Sequence, residues 1–166
     1  MTQKCEPQLV RNFPSQRSFL SFSFTIGLPA KRRIAPHAVL RFKAKIRTLT
    51  RCTKGASLTQ IIETLARYLI GWRGYFGFCE TPSTLQRLDQ WIRRRLRAIV
   101  WRQWKRGSTR FAELRRRDVG KGLAAKTAGS AHGPWRLSNS RALAVALPNH
   151  YLSSLGLASV APTPAA

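Results

Sequence analysis

Apolar residues recur at steps of three and four along the middle of the chain, which is the spacing of a helix with one buried face. Val39, Phe42, Ile46 and Leu49 form the first such stripe, and Ala35-Pro36 opens its helix because proline fits a first turn. Lys54-Gly55 breaks it. Ser57-Leu58-Thr59-Gln60 then has capping-box spacing, followed by a second stripe of Leu58, Ile61, Ile62, Leu65, Leu69, Trp72 and Phe76. Thr81 as N-cap and Pro82 at the first position start a third helix, whose buried stripe is Leu85, Leu88, Ile92, Leu96 and Ile99. It runs to about Arg106, roughly 37 Å at 1.5 Å per residue, and Gly107 stops it. The predicted fold is mainly α, a helical bundle over about residues 36 to 106, with Phe42, Ile46, Leu49, Ile61, Leu65, Leu69, Leu88, Ile92 and Ile99 in its core.

The flanks are less regular. Residues 18–26 alternate partly with period two and are rich in phenylalanine, which predicts a strand or one arm of a hairpin, ended by Gly27 and Pro29. Short helices are expected over about Arg110 to Arg117 and Lys121 to Ala128, then a loop over residues 129–140. Ser138 or Asn139 caps a helix through Leu147, and Pro148 starts a last short one ending near Gly156. The chain shows no internal repeat.

Charge changes the picture more than composition does. The 166 residues hold 30 Lys+Arg against 6 Asp+Glu, a net charge of +24, with 43% apolar residues and 5 Trp. That much apolar and aromatic content argues against a disordered basic tail, and the charge calls for an anion. Nucleic acid is the first candidate and an anionic membrane surface the second. From Lys31 to Lys54 there are nine basic residues and no acid, and residues 87–117 carry twelve against Asp89 and Glu113. At about 100° per residue, Arg94, Arg97 and Lys105 fall opposite the third helix's apolar stripe, together with Trp101 and Trp104. Two readings of those tryptophans stay open: a second core seam against the C-terminal helices, or stacking platforms for unpaired bases beside phosphate-binding arginines.

Catalytic signals are few. The six acids are scattered, with no adjacent pair to hold the metals of phosphoryl transfer. No Gly-rich phosphate loop and no G-x-S-x-G occurs. Cys5, Cys52 and Cys79 are far apart and read as free thiols of a reducing compartment, and His37, His132 and His150 have no zinc-ligand spacing. A nucleophilic Cys79 has no base near it in sequence. No apolar run reaches the length of a membrane span, and a signal peptide is a poor reading of residues 19–30. No catalytic residue, metal ligand, cofactor or small-molecule substrate is expected.

Three blocks in order, KRRIAPHAVLRFKAKIRTLTR, RYLIGWRGYFGFCETPSTLQRLDQWIRRRLRAIVWRQWKR and GPWRLSNSRALAVALPNHYLSSLGL, resemble the maturase-specific domain (domain X) of bacterial group II intron reverse transcriptases, over roughly residues 18 to 157. The segments GWRGYF, ETPS and LDQWIRRRLR carry most of the specificity. The resemblance implies an α-helical thumb that follows the polymerase palm, grips intron RNA, promotes its splicing-competent fold and helps hold a template–primer duplex, while the RNA supplies the splicing chemistry. Phe19 to Phe22, FLSF, resembles the palm's closing FLGF strand, with Ser21 in place of the usual glycine. The fingers, the palm with its Tyr-x-Asp-Asp strand, and a C-terminal endonuclease box find no counterpart. The chain accordingly divides into an unmatched leader (1–17), a palm-end strand remnant left without its sheet (18–30), the maturase-specific domain (31–157) and a disordered tail (158–166).

The expected function is an RNA-binding domain that assists intron folding and splicing in the cytoplasm without the catalytic core of a reverse transcriptase. Its partner is group II intron RNA or another structured RNA. The alternatives are a non-functional truncated remnant and a basic membrane-surface protein, the latter disfavoured by a bundle that buries its stripes. The candidate RNA contacts are Arg41, Lys45 and Arg51 on the first helix, and Arg73 on the second. Arg93, Arg94, Arg97, Trp101, Arg102, Lys105 and Arg106 follow on the third. Arg110, Arg115, Arg116, Trp135 and Arg136 complete the set.

Overall fold

The structure, a computed structural model, describes residues 18–24, 30–51 and 55–161. Among them the order of elements is β1 (Ser18–Phe19), β2 (Phe22–Phe24), β3 (Arg32–Ile34), α1 (Pro36–Leu49), α2 (Leu58–Phe76), α3 (Pro82–Gln103), α4 (Gly107–Arg116), α5 (Lys121–Ala128), α6 (Pro134–Leu137), α7 (Arg141–Ala146) and α8 (Asn149–Ser154). The fold is mainly α, as the periodicity predicts.

The three long helices form where the stripes place them. The capping box of α2 is present in both directions: Gln60 N–H donates to Ser57 Oγ at 3.2 Å, and Ser57 N–H donates to Gln60 Oε1 at 2.9 Å. Phe42, Ile46, Ile61, Leu65, Leu69, Leu88, Ile92 and Ile99 are buried together in one cluster, with Leu49 half-buried at its edge. Phe42, Trp72 and Phe76 pack in series as tilted ring pairs, each with centroids 4.4 Å apart. Leu152, Leu157, Val160 and Ala161 close this core from the far end of the chain.

A second core lies at the C-terminal end of α3. Val100, Trp101 and Trp104 pack there with Leu114 of α4, Ala124 of α5, Leu137 of α6 and Ala142, Leu143 and Ala146 of α7. Helix α3 is thus apolar on one side along its first four turns and buries a second side, through Val100 and Trp101, at its end.

Several boundaries differ from the sequence reading. Helix α3 ends at Gln103, three residues early, because Trp104 turns into the second core as C-cap; α4 then starts at Gly107. Thr81 stands at the N-cap of α3 without a capping bond, its hydroxyl lying 3.0 Å from Cys79 Sγ. The segment expected to be a loop over 129–140 contains α6, and Ser140, rather than Ser138 or Asn139, caps α7 by accepting from Leu143 N–H at 3.3 Å.

The N-terminal strand is not left without a sheet. β2 pairs antiparallel with both β1 and β3, a partner too short and too charged to be read as a strand. Phe22 packs on Tyr75 and Phe76 of α2, with ring centroids 5.7 and 5.3 Å away. Tyr75 also donates its hydroxyl to Leu20 O at 2.7 Å. Arg32 N–H donates to Glu80 Oε2 at 2.6 Å and Glu80 N–H returns to Arg32 O, which clips β3 to the α2–α3 turn. That backbone bond holds the Glu80 carboxyl below the usual carboxylate range. Expected residues 25 and 26 of the strand lie outside the described residues.

Leu20 (φ 47°) and Ser21 (φ 67°) make the two-residue turn between β1 and β2, both left-handed as a type I′ turn requires. Ser21 holds its place through Ala35 N–H, which donates to its carbonyl at 2.9 Å, and Arg41, which donates to its hydroxyl at 2.9 Å.

Residues 158–161, expected to begin a disordered tail, are bound instead. The buried Asp89 carboxylate accepts from the Ser159 hydroxyl at 2.6 Å and from Val160 and Ala161 N–H at 3.0 Å each. Residues 162–166 lie outside the described residues.

Two outcomes follow. Asp89→Ala leaves two buried N–H groups without an acceptor and should cost about 2–4 kcal/mol in urea unfolding; a variant as stable as the parent contradicts the clamp. Ser21→Val should lose roughly 1–2 kcal/mol at its left-handed position, while Ser21→Gly stays within about 1 kcal/mol of the parent. Equal melting temperatures for the two would refute the strain at this turn.

Candidate nucleic-acid interface

Arg93, Arg94 and Arg95 are consecutive on a helix, so each leaves α3 in a different direction. Arg95 reaches the end of α1, donating from Nε to Thr50 Oγ1 at 2.6 Å and from Nη2 to Arg47 O at 3.4 Å. Burial, and then the charges of Arg47 and Arg102, lower its pKa from the ordinary arginine value. Arg94 reaches α6, donating to Trp135 O at 3.0 Å and Ser138 Oγ at 3.4 Å, and its guanidinium stacks 4.2 Å from the centre of the Trp135 ring. Arg97 bridges to the α7–α8 junction through Leu147 O and Asn149 Oδ1, each at 3.0 Å. Burial lowers its pKa as well, with the Arg93 charge, one turn away, adding to the effect.

Positions 87, 90, 91, 94 and 97 recur at helical spacing and form one face of α3. Against α6–α8 that face encloses a cleft of about 420 Å³, lined by Arg87, Gln90, Trp91, Arg93, Arg94, Arg97, Asn139 and Asn149. Among the described residues four arginines line it and no carboxylate does. Arg93 Nε is buried and has no hydrogen-bond partner among the described residues. Trp91 carries further cations, with Lys43, Arg47 and Arg95 all 5.6 to 5.9 Å from its ring centre.

The other sequence candidates are placed as follows. Arg41, Lys45 and Arg51 on and after α1, and Arg73 on α2, are exposed. Arg102, Lys105 and Arg106 are exposed too, and the first two line a separate groove of about 700 Å³ beside Gly55–Ser57. Arg110 is partly buried, donates to Trp104 O at 2.8 Å and lies 4.8 Å from the Trp101 ring centre. Arg115 donates to Val119 O at 2.7 Å, and Arg116 pairs with Glu113 at 3.7 Å. Trp135 is 43% exposed and Arg136 is exposed. Trp101 is the clear correction: it is 0% exposed, enclosed by the second core and covered by Arg110, and offers no face to a base. Of the two readings left open for Trp101 and Trp104, packing holds.

Arg87, Gln90, Trp91, Asn139 and Asn149 line the cleft without having been singled out. The spacing of Arg87 to Arg94 and Arg97 carried the signal on α3; the asparagines had none, since only the tertiary fold brings them there. Among the described residues no group of three or more His, Cys, Asp or Glu side chains is placed to hold a metal ion. No helix among them is long and apolar enough to cross a membrane.

Residues 39–118 match the family model of the group II intron maturase-specific domain. The match begins within α1 and runs just past the end of α4, so it includes all of α3. No curated protein matches the chain.

Arginines on one helix therefore differ in what they hold. Arg97→Ala removes a donor from two acceptors and unties α3 from α8, and should cost roughly 1–2 kcal/mol. Arg102→Ala, at an exposed position, should stay within about 0.5 kcal/mol of the parent. Chemical denaturation of both distinguishes them, and equal effects would contradict the bridging role of Arg97.

Proposed function

We propose that this chain binds group II intron RNA through its basic face and assists the RNA's folding for splicing, the chemistry being left to the RNA. The observation that carries the reading is the maturase-specific domain over residues 39–118, in a chain of net charge +24. The arginine-lined α3 face fits it, because planar guanidinium forks already held in place lose little freedom on meeting phosphate oxygens. Arg41, Lys45, Arg51, Arg73, Arg102, Lys105, Arg106 and Arg136 supply further exposed charge elsewhere on the surface. The match is to the maturase-specific domain, and on this reading the chain itself carries out no primer extension. A template–primer duplex is a second RNA-containing partner for the same charge. A cytoplasmic location goes with the reading, where a free thiol such as Cys79 stays reduced.

The test is binding and splicing of a group II intron transcript with added protein. Log affinity should fall linearly with log salt, by roughly 0.7 to 0.9 per phosphate neutralised, so that about six contacts lose on the order of a thousandfold between 50 and 200 mM salt. The protein should also lower the magnesium concentration the transcript needs to splice. Salt-independent binding, or splicing indifferent to the protein, would overturn the reading.

A further inference from the structure

The cleft between α3 and α6–α8 does more than add charge to a basic surface. Resting on the RNA-binding reading above, we infer that it is a discrete seat for the phosphodiester of an unpaired RNA nucleotide, whose base stacks on Trp135 beside it. The seat is built from Arg87, Arg93, Arg94 and Arg97, with Asn139 and Asn149 as further polar groups in its lining.

Three observations carry this. First, four cations share a cavity of about 420 Å³ whose lining holds no acid among the described residues. Folding brings them together against their mutual repulsion, and the Arg93 charge already acts on Arg97. An anion bound among them offsets that repulsion, and a phosphate offers several acceptor oxygens to donors of fork geometry. Second, Arg93 Nε is buried without a partner, although buried N–H groups are nearly always satisfied. Arg94 and Arg97 show the contrast: each has Nε and one Nη committed to acceptors in residues 135–149, which fixes their guanidinium planes at the cleft. Third, Trp135 is 43% exposed while the guanidinium of Arg94, itself a cleft residue, stacks on its ring. A large exposed aromatic already backed by a cation favours an unpaired base over a duplex, in which bases are covered by their neighbours.

The site also couples binding to the fold. Arg94 and Arg97 tie α3 to α6 and to the α7–α8 junction, so an anion that holds them in place stabilises the docked C-terminal helices by linkage.

The experiment uses the full chain and two probes: a labelled oligouridylate, which lacks base pairing, and inorganic pyrophosphate at matched ionic strength. The cleft variant is Arg87→Gln with Arg93→Gln. The charge-matched control is Lys121→Gln with Lys126→Gln, on exposed positions of α5 outside the cleft. Circular dichroism confirms folding, and Arg87→Gln alone, at an exposed position, serves if the double variant does not fold. The cleft variant should bind oligouridylate about tenfold more weakly, and the control within about threefold of the parent. Pyrophosphate should raise the melting temperature of the parent and the control but not of the cleft variant. Trp135→Ala should weaken oligouridylate binding while keeping the pyrophosphate shift. Equal losses in the cleft variant and the control would overturn the seat while leaving intron RNA binding intact. A cleft-dependent pyrophosphate shift with no oligouridylate binding would overturn the RNA strand as its occupant and assign the cleft to free phosphates. Failure of the parent to bind the intron transcript would instead defeat the RNA-binding reading itself.

Discussion

Guanidinium groups donating to main-chain carbonyls tie much of this molecule together. With 30 basic and 6 acidic residues, carboxylates cannot partner most of the arginines. The carbonyls left over at helix ends can. Arg95 takes Arg47 O in the last turn of α1, Arg94 takes Trp135 O in α6, Arg97 takes Leu147 O at the end of α7, and Arg110 takes Trp104 O at the end of α3. Each bond places positive charge near the C-terminal part of a helix, where the carbonyls point outward. Three of these four arise from α3, so one helix gathers the ends of three others around itself.

That arrangement explains why charge and packing are not separable on α3. A helix with one apolar stripe ordinarily leaves its opposite face to solvent. Here the opposite face meets α6–α8, and its arginines lie partly buried under the elements they hold. What those elements leave open is the cleft between them, lined by no acid among the described residues, together with exposed cations on α1 and after α3. The one buried carboxylate of α3, Asp89, does not neutralise an arginine either; it binds the backbone of Val160 and Ala161 on the other side of the helix.

What could be read from the sequence follows the range of the interactions. The stripes of α1, α2 and α3 and the Ser57–Gln60 cap depend on residues a few positions apart, and all are found where their spacing puts them. β3 escaped notice because Arg32-Arg33-Ile34 has no alternation of its own and pairs only once β2 is beside it. The role of Asp89 was invisible for a similar reason, since its partners lie some seventy residues later. Trp101 was ambiguous on a helical wheel because a wheel gives direction and not the neighbour met in that direction. The concentration of charge on α3 was legible, but not that Arg94, Arg95 and Arg97 hold carbonyls while Arg87 and Arg93 join Arg94 and Arg97 in lining a cleft.

The division of labour between the two kinds of cation has a practical side. The carbonyl-binding cations of the helix ends are arginines, whereas Lys45, Lys105, Lys121 and Lys126 are exposed. Acylation reaches amines and spares guanidinium groups. A lysine-directed reagent can therefore strip charge from the outside of this protein while its internal ties persist, so that long-range electrostatic attraction and the integrity of the fold can be titrated independently of one another.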